Sequence, residues 1–111
     1  MEIEVGDYIR DKEGNITKIQ NLLNLDREVY LYLGEDGYQY SDNAIKSHSK
    51  NIIDLVEVGD YVNGKYVKEI KQYKDGKSII ALIGIIDEKD IKSIVTHEQF
   101  ESIECKVEED K

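Results

Sequence analysis

Few side chains in this chain are of a type that does covalent chemistry, and their spacing argues against most of it. His48 and His97 are the two histidines and Cys105 is the one cysteine. A Cys105–His97 pair would suit nucleophilic catalysis, the imidazole drawing the proton from the thiol. Cys105, however, alternates in step with Ile103 and Val107. That places it on the apolar face of an expected last strand, as a buried, inert thiol. His97 stands beside a helix N-cap, where solvation is expected, and His48 lies between two serines in an expected loop. For metals there is no Cys-x-x-Cys, no His-x-x-x-His and no calcium-loop spacing. Asp87-Glu88-Lys89-Asp90 has three acids, but its lysine and tight turn read as a charged hairpin tip. Gly34 and Gly37 enclose two acids, which would repel a phosphate. The residues predict no enzyme, no metal and no cofactor.

Two sets of side chains suit recognition instead. Tyr30 and Tyr32 share one face of an expected strand, and Tyr38 and Tyr40 share one face of the next, because side chains alternate with period two. Stacking on nucleic-acid bases would also need Lys or Arg, and residues 29–42 contain neither. The four tyrosines are therefore expected to pack across strands or to anchor a protein partner. The second set is acidic: Glu98, Glu101, Glu104, Glu108, Glu109 and Asp110, against Lys106 and Lys111. The formal net charge is −9. Residues 1–53 carry 10 acids and 6 bases (−4) and residues 54–111 carry 14 and 9 (−5). Such a surface repels nucleic acid at long range and attracts basic partners. A protein partner with a basic surface is expected, such as a nucleic-acid-binding effector, with no direct nucleic-acid contact.

The elements that must position these groups are short strands. Glu4-Val5-Gly6-Asp7-Tyr8-Ile9 returns as Glu57-Val58-Gly59-Asp60-Tyr61-Val62, 53 residues later. Glycine suits a sharp entry into a strand, and the Asp can accept from a nearby turn N–H. After the first copy, Asp11 to Asn15 supplies a turn and Ile16 to Leu23 a strand; after the second, Asn63-Gly64 predicts a two-residue hairpin. The spacing aligns Ile19 with Ile70. Gly34-Glu35-Asp36-Gly37 turns between the tyrosine strands. Ser78 to Ile86 reads as one strand buried on both faces. Thr96-His97-Glu98-Gln99 fits a capping box opening a single helical turn, and Ile103 to Glu108 as an amphipathic strand. The class is all-β, with an internal duplication giving tandem or fused small barrels over residues 1–53 and 54–111.

At 111 residues and 40% hydrophobic composition the chain can fold. A unit of about 50 residues buries little surface alone, so the halves are expected to pack together as one compact unit. One thiol favours a reducing compartment, and the start lacks a signal-type apolar stretch. The longest apolar run, Ile79 to Ile86, is far short of the roughly 20 residues of a membrane span. These features predict a cytoplasmic protein that does not enter the membrane.

Val5-Gly6-Asp7-Tyr8-Ile9 followed by Gly14-Asn15-Ile16-Thr17-Lys18-Ile19 is similar to the opening of KOW-type, SH3-like barrels. In that family the loop often touches RNA through basic residues. Here it has Asp11 and Glu13 beside Lys12, so RNA binding is not carried over. The stretches Asn51 to Gly64 and Ser93 to Glu101 resemble small acidic proteins of phages and prophages of clostridia and related Firmicutes. That resemblance implies a phage setting and a host bacterial cytoplasm. With the acidic charge and the missing catalytic set, it leads to the expectation of a non-enzymatic inhibitor of a bacterial defence nuclease, anti-CRISPR or anti-restriction, acting by acidic nucleic-acid mimicry. The alternative is an adaptor or assembly module that binds a host or virion protein through barrel edges.

Overall fold

A computed structural model describes residues 3–27, 29–82 and 84–103. The fold is mostly β, with two five-stranded antiparallel sheets and one short helix. The first sheet holds β1 (Tyr8–Asp11), β2 (Ile16–Asp26), β3 (Val29–Gly34), β4 (Gln39–Ser41) and β5 (Ile45–Ser49), in the order β4-β3-β2-β1-β5. The second holds β6 (Tyr61–Val62), β7 (Lys65–Tyr73), β8 (Gly76–Ala81), β9 (Ile85–Asp87) and β10 (Ile94–Val95), in the order β10-β6-β7-β8-β9. Read from β9, the second order repeats the first strand for strand. A 3₁₀ turn follows β4 (Asp42–Ala44) and another follows β9 (Glu88–Asp90). Neither sheet closes on itself through strand pairing.

The two Val-Gly-Asp-Tyr segments build one local structure twice. Gly6 and Gly59 take φ of 95° and 100°, values open to glycine without a Cβ clash. Asp7 Oδ2 accepts from the Glu4 N–H at 3.0 Å, and Asp60 Oδ2 accepts from the Glu57 N–H at 2.7 Å. The Asp-to-turn bond expected from the residue types is thus present in both copies. Gly6 N–H donates to Ile19 O and Gly59 N–H to Val67 O. These bonds, with Tyr8 opposite Lys18 and Tyr61 opposite Tyr66, make Val67 the counterpart of Ile19. The alignment of Ile19 with Ile70 is corrected. The connection shortens by five residues rather than two, because Asn63-Gly64 turns β6 directly into β7.

Each sheet encloses its own core. Ile3, Ile9, Ile19, Tyr32, Tyr40 and Ile45 form one cluster. Ile53, Val56, Val62, Val67, Ile79, Ala81 and Ile86 form the other. Tyr32 and Tyr40 face each other across β3 and β4, where the second sheet pairs Ile79 with Ile86. Burying each such side chain contributes roughly 1.5–3 kcal/mol.

Two sequence expectations need correction. The apolar run Ser78 to Ile86 is not one strand. It breaks into β8 and β9 at a turn, and Leu82 and Ile85 are exposed. A run of one residue class carries no mark of where a turn interrupts it. The helix α1 (His97–Ile103) is longer than one turn and takes in Ile103, where the last strand was to start. The rest of that strand, with Cys105, lies outside the described residues.

Candidate interaction surfaces and the charge cluster between the sheets

Arg10 is the last but one residue of β1, opposite Ile16, and its side chain is fully buried. It points out of its own sheet. Nη1 donates to Asp60 Oδ2 at 2.6 Å and to Leu55 O at 2.7 Å, and Nη2 donates to Asp60 Oδ1 at 2.9 Å. Nη2 also donates to Glu98 Oε1. A bidentate fork is the guanidinium geometry that best satisfies a buried carboxylate. The junction between the two hydrophobic clusters is therefore ionic. Burial lowers the Arg10 pKa, but the carboxylates of Asp60 and Glu98 outweigh it and the net shift is upward.

Around this pair lie Lys46, Glu57, His97 and Glu98. Lys46 Nζ is 3.0 Å from Glu57 Oε1 and 2.7 Å from Glu98 Oε2. His97 Nε2 is 2.8 Å from Glu57 Oε1. Burial raises the Glu98 carboxyl, but bonds from Lys46 and Arg10 prevail and hold it down to about 2. Among the described residues, Glu57, His97 and Glu98 bring ligand-type atoms within 4.8 Å of one another. The Lys46 ammonium already bridges both carboxylates, so Lys46 and Arg10 offset two of the three acid charges of Glu57, Asp60 and Glu98. His97 belongs to this network rather than to open solvent. His48 is on β5 rather than in a loop, with Nδ1 3.5 Å from Asp7 Oδ2.

The capping box expected at Thr96 is present. Gln99 N–H donates to Thr96 Oγ1 at 3.2 Å, and Thr96 N–H donates to Gln99 Oε1 at 3.3 Å. The Thr96 hydroxyl donates to Gly14 O at 2.8 Å, which fixes α1 against the β1–β2 turn. In that turn the Asp11 carboxylate accepts from the Glu13 and Asn15 N–H groups, so this acid serves the loop itself.

Among the described residues, the tyrosines and acids singled out by sequence divide between core and surface. Tyr32 and Tyr40 are core residues, 2% and 6% exposed, and cannot anchor a partner. Alternation pairs Tyr30 with Tyr32 and Tyr38 with Tyr40 without saying which face is inside, and Tyr38 precedes β4. The Tyr32 and Tyr40 hydroxyls donate to Asp42 at 2.7 Å and Asp36 at 2.6 Å. Tyr30 is half-buried against the first core, and Tyr38 is exposed. Glu98 is held by Arg10 and Lys46, so its carboxylate is engaged within the chain. Glu101 is exposed. Glu104, Glu108, Glu109 and Asp110 lie outside the described residues.

The surfaces that sequence reasoning missed are two equivalent hairpins with opposite chemistry. Both have a register shift at the same place, between Ile19 and Asn21 and between Val67 and Glu69. Beyond it, Leu23 opposite Leu31 in β2–β3 corresponds to Lys71 opposite Ser78 in β7–β8. The first hairpin ends in Leu23, Leu25 and Val29, all exposed, Leu25 at 58%. The second carries lysines and the exposed Tyr73. Near the start of β7, Tyr66 packs edge-on to Tyr61, which stacks on Phe100 with centroids 5.2 Å apart. Comparing the two copies position by position would have exposed the contrast, had the register shift been legible.

No protein-family model matches the chain, and neither a curated protein nor a solved structure matches it. No helix among the described residues is long and apolar enough to cross a membrane.

Proposed function

We propose that the chain is a non-enzymatic interaction module made of two duplicated SH3-like units, and that the end of the β2–β3 hairpin docks a protein partner. The repeated strand order, the matched 3₁₀ turn after the fourth strand and the twin Gly-Asp turns support the duplication and the SH3-like reading. The observation that carries the function is the exposed Leu23, Leu25 and Val29 at the end of one ribbon. Three neighbouring apolar side chains held in water are costly unless a partner covers them. In the second unit Lys71 stands where Leu23 does and Gly76 where Val29 does, so the fold itself does not require an apolar side chain at either position.

This reading is the adaptor form of an interaction protein. The form that blocks a bacterial defence nuclease by acidic mimicry rests on the net charge of −9 and on the phage resemblance. Of its six acids, Glu98 is committed to the internal cluster. A photo-crosslinking residue at position 25, in cells of the encoding host, tests the proposal. The expected result is one discrete adduct, lost with Leu23→Ser and Val29→Ser. Labelling no different from that at the exposed Glu35 removes the hairpin as a docking site. An adduct to a defence nuclease favours the inhibitor form, and one to a structural or regulatory protein favours the adaptor form.

A further inference from the structure

The net charge conceals its distribution. Residues 65–77 carry Lys65, Lys68, Lys71, Lys74 and Lys77 against Glu69 and Asp75, a local balance of +3 in a chain of −9. Elsewhere Lys46 pairs with Glu57 and Glu98, and Lys50 with Glu4 and Asp7. Lys77 pairs with Asp54 at 3.1 Å. Lys65, Lys68, Lys71 and Lys74 are all exposed, and none of them forms an ion pair among the described residues. They lie on one ribbon but not on one face: Lys65 alternates in step with the buried Val67, Lys74 follows the end of β7 in the turn, and Lys71, with Lys68 at the register shift, lies between Tyr66 and Tyr73. Val67 faces Ala81 and Ile70 faces Ile79, both pairs turned to the core, so Lys71 and Tyr73 stand on the outward side. Tyr66 stands outward at the other end, opposite Tyr61. Tyr66 is 37% exposed and Tyr73 49%. At about 3.3 Å per residue, the two rings are roughly 23 Å apart along the strand, with lysines between and beside them.

We propose that the outward face of β7 binds single-stranded nucleic acid, with Lys68 and Lys71, and Lys74 at the adjoining turn, tracking the phosphates and Tyr66 and Tyr73 stacking on bases. Unpaired cations supply the sequence-independent attraction to a phosphate chain, and exposed aromatic faces supply stacking that any base can satisfy. The first unit's tyrosine strands lack Lys and Arg, so they meet one of these conditions and β7 meets both. The tyrosines also choose among polyanions. A duplex keeps its bases paired and offers little to stack on, and an acidic peptide needs the lysines without the rings. The acids elsewhere act at long range and are screened over about 8 Å at physiological salt, which leaves the local lysines to act at contact. Glu69 shares the ribbon as the one acid between Tyr66 and Tyr73, and lowers the attraction without cancelling it. The surface is distinct from the β2–β3 hairpin end, so this proposal stands or falls independently of the protein-docking one.

Fluorescence anisotropy with the full chain tests it, using a labelled oligothymidine or oligouridine of about 12 nucleotides, the matching duplex, and a polyglutamate peptide. The expected result is binding of the single strands that weakens between about 50 and 200 mM salt, with a log–log slope of about −2 to −3 for three or four phosphates. Lys68→Glu with Lys71→Glu and Lys74→Glu should flatten that slope and weaken binding at least roughly tenfold. Tyr66→Ala with Tyr73→Ala should weaken it roughly tenfold or more at an unchanged slope. These positions are exposed, and a circular dichroism melt matching the parent's verifies that each variant is folded. Absence of binding at the lowest salt overturns the proposal, as does an unaffected lysine variant. Equal affinity for the duplex overturns it by removing the stacking, and preference for polyglutamate overturns it in favour of an acidic protein partner.

Discussion

Arg10 and Asp60 are fifty residues apart in the chain and meet fork to carboxylate in a site closed to water, at 2.6 and 2.9 Å. Asp60 also accepts from the Glu57 and His97 N–H groups, so one carboxylate gathers β1, the second Gly-Asp turn and the start of α1. Replacing Arg10 by methionine leaves that carboxylate buried without its cation. The expected loss is about 3–5 kcal/mol, measured by urea denaturation of the full chain. Arg10→Lys should recover only part of it, since an ammonium cannot reproduce the fork. A loss below about 1 kcal/mol for Arg10→Met would mean that water enters the site and solvates Asp60.

The charge cluster makes stability depend on pH in a defined direction. The Glu98 carboxyl sits at about 2 in the folded chain against an ordinary 4.5, and Glu57 and Asp7 are also lowered. A depressed carboxyl stabilises the fold fully above its unfolded value, and that contribution is lost as the pH falls through the folded one. Thermal melts should therefore show stability falling between about pH 5 and 2. In Glu98→Gln that slope should be shallower, because one of the groups taking up a proton is gone. An identical slope in the variant would place the acid sensitivity elsewhere.

Gly6 and Gly14 both sit at positive φ, 95° and 91°, but only Gly14 has a close neighbour. A Cβ on Gly14 would collide with Thr96 Oγ1 and lie 2.9 Å from Glu98 Cβ, while one on Gly6 meets nothing within 4 Å. Gly6→Ala should cost the conformational term alone, about 1–2 kcal/mol. Gly14→Ala should cost more, because it also pushes α1 away from the β1–β2 turn and breaks the Thr96 bond to Gly14 O. Equal costs in urea titrations would show that α1 is not seated on that turn in solution.

Tyr32 reports on the first core. Burial, then its bond to Asp42, pushes its phenol up to about 12. An absorbance titration should show this phenol ionising near pH 12, a step that Tyr32→Phe removes. The same substitution should cost about 1 kcal/mol by stranding the hydrogen-bonded Asp42. Because the folded phenol resists ionisation, stability should begin to fall above about pH 10, where the unfolded chain ionises. Ionisation of Tyr32 at its ordinary value would mean that the site is open to water.

What the sequence made legible was local. The capping box at Thr96 and Gln99, the Asn63-Gly64 turn and the Asp-to-turn bonds all lie within a few residues and follow from residue type. The bond between Arg10 and Asp60 follows no spacing rule, and neither does the meeting of Glu57 with His97. Only the docked chain brings them together. Tyr30 and Tyr32 lie on one strand as expected, whereas Tyr38 precedes β4, and the burial of Tyr32 and Tyr40 depends on what covers their face. The Ile19–Ile70 alignment failed because a short hairpin and a register shift alter the count without altering the residue types. The two divergent hairpin ends became visible once that register was known.

The Arg10–Asp60 contact also has a direction. Position for position, Arg10 corresponds to Asn63, whose side chain is tied to Asp90 O and to the Lys92 and Ser93 N–H groups of its own unit. Asp7 corresponds to Asp60, yet its cation is Lys50, drawn from its own β5 side. Head-to-tail contacts of one kind can in principle repeat without end. Here the donor residue is missing from the second unit and the acceptor of the first is already capped. Arg10 and Asp60 are thus both spent on one contact inside the chain, and neither is left to repeat that contact with another copy.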